Sequence, residues 1–110
     1  MIYLDKPQLR RLRFGRWQVP GWYYVSHCIS DESVEELHAF MAEIAVLRTR
    51  RGFHNKPGAP HYDLVEGLIR RAREAGAREV GSRELVAILR RRYGGPLSGG
   101  AVEGSGEPGL

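Results

Sequence analysis

The sequence predicts an α/β domain: a small, at least partly parallel sheet of about three strands with three helices. Three observations carry that expectation. The run "WYYVSHCI" at 22–29 is rich in aromatic and β-branched residues, as strands are. Directly after it, Val34, Leu37, Met41, Ile44 and Arg48 recur at helical spacing. Helices then follow strands along the chain, an order that favours parallel pairing in at least part of the sheet.

Taken in order, "MIYL" is a short β-prone run ending at Asp5 and broken by Lys6-Pro7. Residues 8–21 mix four bases with two aromatics and have little periodicity, so they read as a loop with at most one helical turn. Ser33 with Glu36 three residues on fits a capping box, which opens a helix over 33–48; Ser30 and Asp31 compete as caps just upstream. Residues 48–60 are basic and interrupted by glycine and proline, which makes a loop. Leu64, Val65, Leu68, Ile69 and Ala72 mark a second helix closed by Gly76, and Asp63 is placed to be its N-cap. A short strand around Val80 leads into a third helix from Ser82, buried on Leu85, Val86 and Leu89. The domain is expected over 1–95, with 96–110 a flexible Gly-rich tail.

Composition narrows the function classes. In 110 residues, 42% are apolar and 27% charged, which is ordinary for a globular chain and argues against overall disorder. No apolar run approaches the roughly 20 residues of a bilayer span, so no membrane role is expected. A single cysteine, Cys28, and the lack of a secretory leader point to the cytoplasm (a host's cytoplasm if the gene is carried by a phage). CxxC, HExxH, Walker and GxGxxG motifs are all missing, which disfavours zinc knuckles, zincins and dinucleotide folds. The net charge is +4, and residues 1–95 hold seventeen bases against eleven acids. Fifteen of the bases are arginine, suited to phosphate or carboxylate contacts, so a nucleotide or nucleic-acid partner is a reasonable expectation.

All four histidines fall between 27 and 61. His27 ends a strand, His38 borders the apolar stripe of the first helix, His54 lies in the Gly/Pro loop and is expected to be solvated, and His61 opens "HYD". His61 and Asp63 are two apart, so in an extended segment both reach the same face and one shared ion or water. Tyr62 is either a core residue or a catalytic hydroxyl. Cys28 alternates to the face opposite His27 and is read as core. The candidate metal ligands are therefore His27, Asp31, His38, His61 and Asp63, for zinc or manganese; the candidate acid/base groups are His38, His61 and Tyr62. Arg16, Arg50, Arg51 and Lys56 are the candidate phosphate contacts.

The segments "SHCISDESVEELHAF" and "PHYDLVEGLIRRAREAGAREVGSREL" resemble the 4031 family of domains of unknown function, found in bacterial and phage genomes. The resemblance runs from "MIYLD" to about Arg92: an MIYVD-like strand at Met1–Asp5, a Trp-containing loop at Trp17 or Trp22, SH-x-x-SD at 26–31, EELH-x-F at 35–40, HYD at 61–63, and GA-x-x-V-S at 76–82. It implies that His27, Asp31, His38, His61, Tyr62 and Asp63 belong to a family pattern, whereas His54 does not clearly do so. The loop at 15–23 is longer and more aromatic than the pattern, and the tail lies outside it.

Two functions of different classes follow. One is a small His/Asp-site hydrolase, metal-dependent, acting on a phosphate-containing substrate. The other is a non-enzymatic nucleic-acid- or protein-binding module using "RRLRFGRWQVPGWYY", where bases and aromatics interleave. A structural homodimer, with the histidines as an internal polar network, is a third.

Overall fold

The structure, a computed structural model, describes residues 1–94 apart from 12, 15, 19 and 46–51. The expected tail at 96–110, the end of the first helix, and Arg50 and Arg51 therefore lie outside the described residues.

The α/β class holds, with more strand than expected. Eight strands and three helices run in the order β1 (Ile2–Asp5), β2 (Gln8–Arg10), β3 (Arg13–Phe14), β4 (Trp17–Gln18), β5 (Tyr23–Ser30), α1 (Val34–Ala45), β6 (Phe53–His54), β7 (His61–Val65), α2 (Glu66–Glu74), β8 (Arg78–Val80) and α3 (Ser82–Tyr93). Six of the strands form one mixed sheet, ordered β6-β7-β5-β1-β8, with β2 pairing the start of β5. Its only parallel pairing among the described residues is β1 with β8; the other four pairings are antiparallel. β3 and β4 make a separate two-stranded ladder. The segment read as a loop at 8–21 is thus largely extended, because β1 resumes as β2 beyond Lys6-Pro7 and stays on the same side of β5.

The second correction concerns "HYDLV". These residues alternate between half-buried His61, Asp63 and Val65 and buried Tyr62 and Leu64, the period of a strand. Leu64 and Val65 were counted toward a helical stripe, but Leu64 belongs to the strand pattern, and α2 starts at Glu66. Asp63 is therefore not the helix cap. Val65 occupies that position and makes no side-chain capping bond. At α1 the capping box is half made. Ser33 Oγ accepts the Glu36 N–H at 3.0 Å, while the Glu36 carboxylate turns instead to Ser30 Oγ and the Met1 amino group.

Helices cover both faces of the sheet, unequally. On one face α1 and α2 bury Ile2, Leu4, Cys28, Tyr62 and Leu64 against Leu37, Met41 and Ile69. On the other, α3 buries Ile29, Ala59 and Val80 beneath Leu85, Ile88 and Leu89. Because α3 packs on the β1 side, the part of this second face built by β5, β7 and β6 is left for polar residues. Among the described residues no helix is long and apolar enough to cross a membrane.

Cys28 is fully buried in the first core, on the face opposite His27, and burial pushes its thiol pKa up to about 12. The native protein is expected to resist alkylation at neutral pH and to react at once after unfolding in denaturant, measured by mass spectrometry. Rapid labelling of the native state would contradict the assigned face of β5.

Candidate functional site

Strand pairing assembles the site. In the β5–β7 ladder His27 lies opposite Asp63, and in the β1–β5 ladder Leu4 opposes Cys28, which sets Asp5 against His27. Asp5, His27 and Asp63 therefore form a row across three adjacent strands, where directly opposed Cβ atoms stand about 5 Å apart. His61 is two residues from Asp63 on the same face, and the β6–β7 ladder places His54 opposite it. Three histidines and two aspartates share one face of the sheet.

The hydrogen bonds fix how the rings are turned. Asp5, only 4% exposed, accepts the His27 backbone N–H on Oδ1 and the His27 Nδ1–H on Oδ2, both at 2.7 Å. Ser26 Oγ donates to the Asp5 carbonyl at 2.9 Å and holds β1 in place. His61 Nδ1–H donates to the Ala59 carbonyl at 2.8 Å. With both Nδ1 atoms protonated, the neutral rings carry their lone pairs on Nε2. Those two atoms face the same oxygen: Asp63 Oδ1 lies 3.7 Å from His27 Nε2 and 3.5 Å from His61 Nε2. Asp63 Oδ1 is buried and has no hydrogen-bond partner. The other carboxylate oxygen, Oδ2, is 2.9 Å from His54 Nε2, and the His54 ring stacks on His61 with centroids 5.0 Å apart.

Backbone geometry secures Asp63. Its N–H donates to the Gly52 carbonyl at 3.0 Å, and Gly52 has φ +85°, a left-handed conformation open to glycine. A Cβ at Gly52 would also come within 3.2 Å of the Asp63 carbonyl oxygen.

Electrostatics differ between the two facing rings. The Asp5 hydrogen bond raises the His27 pKa above its ordinary value, with the Asp5 and Asp63 charges helping and partial burial opposing. Burial lowers that of His61, and the neighbouring His27 and His54 act in the same direction.

A cleft of about 330 Å³ opens beside the cluster, between the sheet and α3. Asp5, His27 and His61 line its polar end, where Arg10 and Lys56 also project.

The residues singled out from sequence distribute unevenly. His27, His61 and Asp63 come together, with donor atoms all within 4.8 Å of one another. Lys56 stands at the cleft, and Arg16 is exposed near the β3–β4 ladder. His38 and Tyr62 sit together on the opposite face, 2.7 Å apart between Nδ1 and the hydroxyl, and His38 also meets the Phe53 ring edge-on. His38 and His61, both candidate ligands, do not meet, because Tyr62 and His61 are strand neighbours on opposite faces. Asp31 is at the far end of β5, bonded to the Met1 amino group. Asp5, Arg10 and His54 were not singled out. His54 is exposed, as its loop position suggests, and its ring also reaches Asp63. For Asp5 the available signal is an acid ending an apolar strand run; for His54, whose strand is two residues long and pairs with His61 across an intervening turn, local spacing gives none.

A mixed α/β sheet with a His/Asp cluster on its uncovered half, opening into a cleft, defines the class of protein. The chain belongs to the family described as "Protein of unknown function (DUF4031)", whose model matches residues 2–92. Neither a curated protein nor a solved structure matches it.

The His27 shift gives a signed expectation for the metal-free protein. A histidine with a raised folded pKa contributes stability that is full below its unfolded pKa and is lost as pH rises through the folded value. The stability gap between wild type and His27→Gln, measured by urea unfolding, should be larger at about pH 5.5 than at about pH 8.5. A gap that widens with rising pH would contradict the Asp5–His27 pairing.

Proposed function

We propose that the chain is a divalent-metal-dependent hydrolase acting on a phosphate-containing substrate, with His27, His61 and Asp63 as the metal ligands. One observation carries the metal reading: a buried, unpartnered carboxylate oxygen is faced by two histidine lone pairs. Three acceptors directed at each other repel unless a cation lies between them. Ligand atoms about 2.0–2.1 Å from a tetrahedral zinc stand roughly 3.4 Å apart, close to the two separations found here. Asp5 and the Ala59 carbonyl hold the ligating rings from behind, the outer-sphere arrangement that metal-bound histidines adopt.

Three protein ligands leave room for a further one, as catalytic rather than structural zinc sites do. An ion there would supply Lewis-acid polarisation of a phosphoryl oxygen and lower the pKa of a water. The chain's own residues supply the remainder. Arg10 and Lys56 draw the phosphate into the cleft. His54, half exposed with its Nε2 2.9 Å from Asp63 Oδ2, is placed to carry a proton between the site and solvent. His38 and Tyr62 support β7 from beneath. Zinc and manganese suit these donors, and two histidines with one carboxylate also match non-haem iron sites, so metal analysis includes iron.

A second reading has its own support. Leu9, Trp22 and Tyr24 are 53%, 60% and 50% exposed, and the Arg11 guanidinium lies 5.6 Å from the Trp22 ring centroid. Leu9 pairs with Tyr24 across β2 and β5, and with the Arg11–Trp22 contact close by in sequence this interleaves exposed aromatic and basic groups, as in modules that stack single-stranded nucleic acid. In that case oligonucleotide binding falls steeply with salt and survives His27→Ala and His61→Ala; self-association through this face, read by sedimentation, would identify a homodimer instead.

Tag-free protein is expected to bind one equivalent of zinc or manganese. At a free-metal concentration about 100 times Kd the gain is about 2.7 kcal/mol, enough to raise Tm by roughly 10 °C or more. His27→Ala, His61→Ala and Asp63→Asn should each abolish the gain, while His38→Ala lowers the starting Tm and keeps it. The gain should shrink in acid, because His27 must give up its Nε2 proton to ligate. A wild-type protein that is folded, metal-free and unmoved by any of the three metals overturns the proposal.

A further inference from the structure

The cleft beside the cluster has two chemically different ends. Toward the sheet it presents His27, His61 and Asp5, whose carboxylate is already taken up by His27, with the cationic side chains of Arg10 and Lys56. Toward the helix it presents Leu85, Val86 and Leu89, one stripe of α3, with Ile29 and Ala59 at its floor. Arg10 is steadied by Gln8, whose Oε1 accepts from its guanidinium at 2.8 Å. The apolar stripe is partly explained by the core, since Leu85 and Leu89 are buried; Val86 is only half-buried and still faces the cleft.

A phosphate alone would use only the first end. At about 330 Å³ the cleft sits at the lower limit of ligand pockets, which run from about 300 to 1,000 Å³. That volume admits one compact ring system with its phosphate. It does not admit a duplex or a folded protein.

We propose that the substrate is a small phosphate monoester with a compact apolar body, the size of one aromatic ring or nucleobase. The body lies on Val86 and Leu89 of α3, and the phosphate is held by Arg10 and Lys56 next to His27, His61 and Asp63. This deepens the metal-centre reading and rests on it. The apolar wall sets which phosphate ester is chosen, because burying a ring there adds affinity that inorganic phosphate cannot gain. Hydrolysis of such an ester breaks the phosphorus–oxygen bond to the leaving alcohol. Water adds its oxygen to phosphorus, one of its protons goes to the alcohol, and no redox partner is needed.

The test uses the zinc-loaded full chain and calorimetry with phenyl phosphate and inorganic phosphate as probes. Phenyl phosphate is expected to bind at least about tenfold more tightly. Val86→Asp should erase that preference and leave metal stoichiometry unchanged; Arg10→Gln should weaken both probes by a similar factor. Equal affinity for the two probes, or a preference that persists in Val86→Asp, overturns the proposal. A single-stranded oligonucleotide that binds more tightly than phenyl phosphate overturns it as well. Metal stoichiometry is read separately, so a loaded centre without ring preference overturns this inference alone, and a chain that takes up no metal overturns the centre beneath it.

Discussion

The pairing register of β5 with β7 governs the rest of the structure. His27 opposes Asp63 only in this register, and Cys28 then opposes Tyr62. A slip of one residue would turn Tyr62 and Leu64 out of the α1/α2 core and carry His61 and Asp63 into it. The register is held by ordinary hydrophobic burial: Cys28 and Leu64 are fully buried and Tyr62 nearly so. The apolar face of two strands therefore fixes the geometry of the polar face.

The second constraint is the cost of burying Asp5. A carboxylate at 4% exposure is expensive unless paired and hydrogen-bonded. Here the same neighbour supplies two donors, the backbone N–H and ring Nδ1–H of His27. That arrangement stabilises the charge and also sets the tautomer that turns Nε2 toward Asp63. One interaction thus satisfies the fold and orients the His27 ring. The uneven cover of the sheet completes the arrangement, because α3 leaves the cluster uncovered and forms one wall of a cleft beside it.

Much of this was legible in the sequence, for identifiable reasons. The strand at 22–29 and the three helices follow from composition and periodicity, and the outward-facing His27 with inward-facing Cys28 follows from strand alternation. "HYD" was misread because Leu64 and Val65 fit a helical stripe as well as a strand, and five residues are too few to separate the two periods. Once Asp63 is placed as a helix cap, its row with His27 and Asp5 disappears from view. His38 and His61 are both candidate ligands by residue type, but a strand sends Tyr62 and His61 to opposite faces, and His38 meets the former. Asp5, Arg10 and His54 depend on contacts between β1, β2, β6 and β7, which are long-range pairings that local spacing does not encode.

A metal-dependent role requires His27, His61 and Asp63 to hold one divalent ion between them. Anomalous diffraction at the zinc edge, from tag-free crystals equilibrated with zinc, tests it most directly. A peak is expected about 2.0–2.2 Å from His27 Nε2, His61 Nε2 and a carboxylate oxygen of Asp63. Zinc bound only at surface residues away from these three atoms, with the cluster well ordered and unchanged, would contradict it.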